Sequence, residues 1–223
     1  MENDVAARTR ALWDRLNEAS GKYGGVELCA VTKTVSAERI NPVYDAGVRI
    51  IGENRVQELM DKLPGLRSDF KIHVIGRLQT NKVKYIADKA DMIQSLDRMA
   101  LAEEISKRCV QRPMPVLVEV NIGEEPQKGG VMPGELVSFI TEAARLPGLK
   151  IEGLMTVAPA ADDPEDVRPY FRQMRTWFER LRDMDIDNVS MKTLSMGMSG
   201  DCLVACQEGA TMVRIGSALF GHR

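Results

Sequence analysis

Five places in this chain hold residues whose types and spacing could do chemistry. Lys33, in AVTKTV, follows the apolar run Leu28–Val31. A lysine set against apolar walls is disfavoured in its charged form, which lowers its pKa and frees the amine as a nucleophile toward carbonyls. The other reading is a surface lysine opening a loop. Two segments, LSMGMSGD and VRIGSALFG, each run from a β-like stretch into a helix start. Small residues there, with Ser199 and Gly200 in one and Gly216 and Ser217 in the other, let backbone N–H groups approach an anion. The serine hydroxyls add donors. Each segment alone reads equally well as a capped turn, but the pair points to a phosphate site. Arg214 stands between Val213 and Ile215, so its guanidinium needs a buried partner if it faces inward. Asn54, in IIGENRVQE, is either a ligand-facing amide or a helix N-cap, with Glu58 as a helical acid.

Other candidates carry less. His73 lies between Ile72 and Val74 and reads as a packed core residue. Only one further histidine exists, His222, so a histidine-rich metal centre is excluded. Cys202 and Cys206, four apart on a helix, lack the further ligands that zinc requires and read as packing. The expectation is no metal. Gly76, Gln79, Asn81 and Lys82 are placed to line a mouth. The Gly-rich loop around Lys128 reads as a lid or a solvated turn. The 13 methionines read mostly as core filler, with Met155, Met196 and Met198 near strand ends able to pad a ring.

These groups need elements to position them. Helical spacing spans Asn3–Ser20, with Asp4 available as a cap and Gly21 as a stop. Eight short β-like runs follow: 27–32, 48–51, 71–75, 91–94, 116–121, 150–157, 189–194 and 211–215. Helical patterns alternate with them at 37–46, 55–63, 98–110, 134–146, 167–184 and 200–208. Alternation of this kind predicts parallel βα units. Eight of them predict one closed (β/α)8 TIM-type barrel with an extra N-terminal helix, residues 1–223 forming a single domain. A doubly wound open sheet is the rival. Barrel chemistry gathers at the C-terminal strand ends, and phosphate sites follow strands seven and eight. Lys33, Arg214 and the two serine loops therefore converge.

The 223 residues carry 30 basic and 32 acidic side chains, a net charge of -2. That excludes binding of nucleic acid through bulk positive charge. No apolar run reaches the length of a membrane helix, and MENDVAARTR has no apolar signal region. The four cysteines read as reduced thiols in a cytoplasmic protein. A monomer is expected.

A lysine amine facing a phosphate cradle fits a ligand with both an aldehyde and a phosphate. Pyridoxal 5'-phosphate is one; a phosphorylated sugar on an aldolase lysine is the other reading. The chain resembles the pyridoxal phosphate homeostasis protein family, an alanine-racemase-like group. The motifs are AVTKT at 30–34, IGENRVQE at 51–58, HVIGRLQTNK at 73–82, VEVNIGEEPQKGGV at 118–131, GLMTV at 153–157, LSMGMSGD at 194–201 and MVRIGSALFG at 212–221. The resemblance implies pyridoxal phosphate held as a Schiff base on Lys33. It implies Asn54 and Met198 lining the cofactor, Ser199, Gly216 and Ser217 on its phosphate, and Arg214 near the pyridine nitrogen. An arginine there leaves that nitrogen unprotonated and weakens the ring as an electron sink. The chain departs from many relatives at Val35, where they carry a basic residue, so a proton shuttle from that position is not expected.

Racemases and decarboxylases resembling this barrel add a β-rich domain that completes their site. Only Gly216–Arg223 follow the eighth run, which leaves no room for one. The expectation is a pyridoxal-phosphate-holding protein of vitamin B6 and amino-acid homeostasis, without efficient catalysis and with no catalytic residue. Apo-enzymes needing the cofactor are its possible recipients. The rivals are a racemase reduced to its barrel and the Schiff-base aldolase.

Overall fold

A computed structural model describes residues 2–221 of the chain. His222 lies outside them. The first helix, α1 (Glu2–Ser20), begins before Asp4, which therefore sits inside the helix and not at its cap. The chain leaves α1 through a tight turn at Gly21, whose φ of 47° suits glycine. Trp13 of α1 donates from Nε1 to Val26 O at 3.0 Å, which fixes the helix against the first strand.

Eight strands follow: β1 (Glu27–Val31), β2 (Ile50–Glu53), β3 (Lys71–Val74), β4 (Met92–Leu96), β5 (Met114–Glu119), β6 (Leu149–Met155), β7 (Val189–Ser195) and β8 (Met212–Ile215). They pair in chain order, all parallel, and close into a barrel. The closing pair is β1 with β8, where Cys29 stands opposite Arg214. This is the (β/α)8 barrel the alternation called for, and it disposes of the open sheet.

Between strands run α2 (Ala37–Ile40), α3 (Pro42–Asp45), α4 (Val56–Lys62), α5 (Val83–Ile86), α6 (Met99–Arg108), α7 (Leu136–Ala143), α8 (Arg168–Asp183) and α9 (Cys202–Gln207), and α10 (Ser217–Phe220) follows β8. The helix expected over 37–46 divides at Asn41. Pro42 has no N–H to continue α2 and instead starts α3.

Alternation along the strands sorts side chains into two layers. Leu28, Ala30, Ile51, Ile72, Val74, Ile93, Val116, Val118, Leu154, Leu194, Val213 and Ile215 join the large core under the helices. Their neighbours face the barrel axis. Cys29, Ile50, Ile75 and Met212 form one small apolar cluster there, and Met92, Leu117 and Met155 another. Between them lies a polar layer of buried His73, Gln94, Ser195 and Arg214. By the same parity Glu119 points inward from the end of β5.

The polar layer is hydrogen-bonded across the axis. Gln94 Nε2 lies 2.9 Å from His73 Nδ1, and Ser195 Oγ donates to Gln94 Oε1 at 2.7 Å. Arg214 Nη1 donates to Ser195 Oγ at 2.8 Å. A buried polar group is tolerable when satisfied in this way. All four cysteines are buried and unbridged, including Cys202 and Cys206 in the packing expected of them. Among the described residues no helix is long and apolar enough to cross a membrane.

Candidate functional site

The C-terminal ends of β8, β1 and β7 surround a cavity of about 370 Å³, within the usual range for small ligands. Lys33, Met198, Ser199, Arg214, Gly216 and Ser217 line it, with Val31, Gly200 and Gly221. Six of the seven candidates thus share one cavity. The seventh, Asn54, lies off its wall.

Lys33 does not sit in the strand. It occupies a tight turn closed by Val35 N donating to Thr32 O at 3.0 Å. The next residue, Thr34, has φ of 60°, which is unusual for a β-branched residue and places strain beside Lys33. The apolar enclosure expected of Lys33 is absent: its side chain is exposed at the cavity mouth. The reason is the turn, which carries the lysine past the apolar strand.

Arg214 is 4% exposed, on the inner face of β8 as its sequence position implied. Nη1 donates to Ser195 O at 2.9 Å as well as to Oγ, and Nη2 donates to Thr156 O at 2.7 Å. All are neutral acceptors, so no carboxylate holds the guanidinium. Burial acts against its charge, while Cys29, Glu119 and Asp201 act for it, and the pKa falls on balance. An arginine nonetheless stays protonated.

The loops after β7 and β8 meet at Ser199. Gly216 N and Ala218 N both point at Ser199 Oγ, each at 3.4 Å. Bonds of that length leave the two N–H groups poorly satisfied and available to a stronger acceptor. Gly197 lets the first loop in: its φ is 92°, and a Cβ there would lie 2.6 Å from Ala205 Cβ. Asp201, at the α9 cap, folds the loop by accepting from Met198 N at 2.6 Å. The second loop is anchored below by Arg39 Nη2, which donates to Phe220 O at 2.7 Å. Met198 is 40% exposed and Ser217 is exposed, both open to a ligand.

Asn54 is not the helix cap. Arg55 takes the N-cap position of α4, and Asn54 Oδ1 is buried without a hydrogen-bond partner. A backbone close approach explains its placement: Asn54 O would lie 2.4 Å from a Cβ at residue 76, so only Gly76 fits. Gln79 and Asn81 do not line the Lys33 mouth. They border a separate depression with Arg77, Thr80 and Arg98. The Lys128 loop is an ordered turn. Asn121 Nδ2 donates to Glu125 O at 2.8 Å, Lys128 pairs with Glu125, and Val120 bridges to Val131.

Sequence reasoning missed a polar group behind the lysine turn. Glu53, the last residue of β2, is 1% exposed. Its Oε1 accepts from Thr32 Oγ1 at 2.6 Å and from Lys62 Nζ at 2.8 Å. Burial pushes the Glu53 carboxyl up against the pull of Lys62 and Thr32. The available signal was the i,i+4 spacing of Glu58 and Lys62, which predicts a helical ion pair. His73 is the packed residue expected, and burial pushes its imidazole down to about 4.

The donors fit an anion and a planar ring group together. Two under-satisfied N–H groups and Ser199 stand at one end, Arg214 at the floor, and Lys33 at the mouth. Among the described residues no group of three histidine, cysteine or acidic side chains could hold a metal.

The family profile described as "Alanine racemase, N-terminal domain" matches residues 7–223. The chain is 46% identical to the "Pyridoxal phosphate homeostasis protein" of Aquifex aeolicus, covering 99% of both chains. It is 34% identical to the protein of the same name from Escherichia coli, over 99% of this chain and 97% of that one. The solved structure of PipY from Synechococcus elongatus with pyridoxal phosphate bound superposes with a TM-score of 0.85 at 34% identity, covering 97% of this chain and 100% of that one. By this full-length similarity the chain belongs to the pyridoxal phosphate homeostasis proteins, which are built on the alanine racemase N-terminal barrel.

Proposed function

We propose that this chain holds pyridoxal 5'-phosphate in the cavity, attached to Lys33, and serves the intracellular balance of that cofactor and of amino acids. The observation that carries the reading is the convergence of Lys33, Arg214 and the Ser199 cradle on one cavity. When bound, the group supplies an aldehyde, which condenses with an amine to an imine and one water. Gly216 N, Ala218 N and the hydroxyls of Ser199 and Ser217 hold the phosphate. Arg214 presents N–H donors toward the ring nitrogen and keeps a proton off it. Met198 flanks the ring, and Asn54, with its unpartnered buried oxygen, backs the site from outside the cavity wall.

The same lining argues for storage over turnover. Beside Lys33 and Arg214 it contains no histidine, tyrosine or carboxylate among the described residues. Racemisation needs a proton donor and acceptor on opposite faces. His73 is buried against Gln94 and does not reach this lining. We take the carrier to be cytoplasmic and monomeric, with apo-enzymes as its recipients.

Incubation with pyridoxal phosphate, borohydride reduction and peptide mapping test it. The adduct falls on Lys33 and is absent in Lys33→Ala. Loaded protein mixed with an apo-enzyme and a trap for free cofactor then separates handover from simple release. Turnover of an amino acid that Lys33→Ala abolishes would replace storage with catalysis.

A further inference from the structure

Both peptide groups flanking Lys33 are held by ionised side chains of one helix. The carbonyl of Thr32, which begins the Thr32–Lys33 peptide, accepts from Lys62 Nζ at 2.6 Å. The N–H of Thr34, which ends the Lys33–Thr34 peptide, donates to Glu58 Oε1. Lys62 also donates to that same Glu58 oxygen at 2.6 Å and to buried Glu53 at 2.8 Å. Lys62 is therefore the hub of a clamp that spans β1, β2 and α4. Its own side chain is 12% exposed and that of Glu58 23%, so water competes weakly for these bonds.

The clamp has a conformational consequence. With φ of 60° at Thr34, the central peptide of the Thr32–Val35 turn is flipped as in a type II turn. Threonine resists this, because its branched Cβ crowds the left-handed region. A charge-assisted bond from the Thr34 N–H to a carboxylate is strong enough to oppose that resistance. Flipping the peptide back would turn this N–H away from Glu58 and rotate the backbone on which Lys33 is mounted. Burial raises the Glu58 carboxyl, but Lys62, the Thr34 N–H and Arg55 outweigh it and the pKa falls on balance, which keeps the acceptor ionised.

We propose that Lys62 and Glu58 are positioning residues for Lys33, holding its turn in the flipped form that aims the amine into the cavity. The proposal rests on the reading of Lys33 as the attachment point. Neither residue lines the cavity, so neither touches the ligand. Their substitution alters covalent attachment and not phosphate binding.

The test uses the full chain and pyridoxal phosphate. The readouts are the visible absorption of the lysine-linked form, the rate of its appearance and the mass of the reduced adduct. Lys62→Met and Glu58→Ala each slow attachment by at least about tenfold, the scale of one lost charge-assisted bond. Lys62→Arg retains most of the rate. Thr34→Gly in the Glu58→Ala background restores it, because glycine adopts a positive φ without strain. In the Lys33→Ala background, where only non-covalent binding remains, Lys62→Met changes the dissociation constant less than about twofold, within the additivity error of independent sites.

Wild-type rates in both single variants would overturn the proposal while leaving Lys33 as the attachment point. So would equal losses of covalent and non-covalent binding, which indicate general loosening. If Lys62→Met fails to fold, Glu58→Ala with its glycine rescue decides alone. A wild-type chain that takes up no cofactor on Lys33 would overturn the underlying reading and the proposal together.

Discussion

The two sides of the cavity are built differently. On the β1 side, the lysine turn is fastened by ionised groups at 2.6–2.8 Å, with Lys62 reaching Thr32 O, Glu53 and Glu58. On the β7–β8 side, Asp201 and Arg39 fasten each loop away from the ligand, but where the two loops meet they are joined only by two neutral bonds of 3.4 Å to one serine hydroxyl. The contrast follows the chemistry asked of each. A covalent bond forms at one atom, and a small misplacement of that atom is costly. An anion is met by several donors at once, and those donors serve best when uncommitted. Fixity belongs on one side and spare hydrogen-bonding capacity on the other.

The largest break comes from Lys33→Ala. Borohydride-trapped adduct disappears altogether, while pyridoxal phosphate still binds reversibly through the cradle. Loss of both in equilibrium dialysis would mean that the two sides do not act separately. Next comes Gly197→Val, which forces a branched residue into φ of 92° and against Ala205. We expect about 3–4 kcal/mol of destabilisation, from backbone strain and overpacking together. Calorimetry should show Tm lower by about 6–16 °C for a chain of this size.

Ionisation beneath the cavity sharpens the comparison. His73 has a folded pKa pushed down to about 4 by burial, so the unfolded chain binds the extra proton first. Stability is lost as pH falls from about 6.5 toward 4, by up to about 3 kcal/mol. Glu119 behaves oppositely. Burial and the neighbouring Asp97 push it up to about 7 against Arg214 and Arg77, so its contribution is present below about 4.5 and lost as pH rises through 7. Denaturant titrations across pH 4–7.5 should show His73→Asn flattening the acid limb and Glu119→Gln flattening the other. The smallest effect is Ser199→Ala: affinity for pyridoxal phosphate falls about fivefold, on the scale of one neutral hydrogen bond. Affinity for unphosphorylated pyridoxal and the unfolding midpoint do not change. An equal loss for both ligands would place Ser199 away from the phosphate.

All eight strands were legible because their apolar alternation is local. Boundaries failed where a distant residue decided them. The second strand was expected at Val48–Ile51 and runs Ile50–Glu53, because Glu53 reads as a loop residue until Lys62, nine positions on, neutralises it. Helix α5 went unnoticed, since four residues carry too little periodicity. The serine loops and Arg214 were readable from small residues and an apolar bracket. The exposure of Lys33 was not, because it depends on a turn flipped by Glu58 from another element. Of the two readings of Asn54, the cap fails because the residue is constrained by the passage of its backbone against Gly76.

The barrel closes at the seam between β1 and β8, where the cavity lies, and the Arg39–Phe220 bond across it joins residues 181 apart. During synthesis from the N-terminus, the lysine turn is made early and its cradle last. Contacts this remote in sequence are slow to form. The pocket therefore cannot exist on a partly made chain, and ligand capture reports that the ring has closed. A ligand that grips both lips of the seam also acts as its clasp, so bound cofactor should slow the opening of this edge before any other.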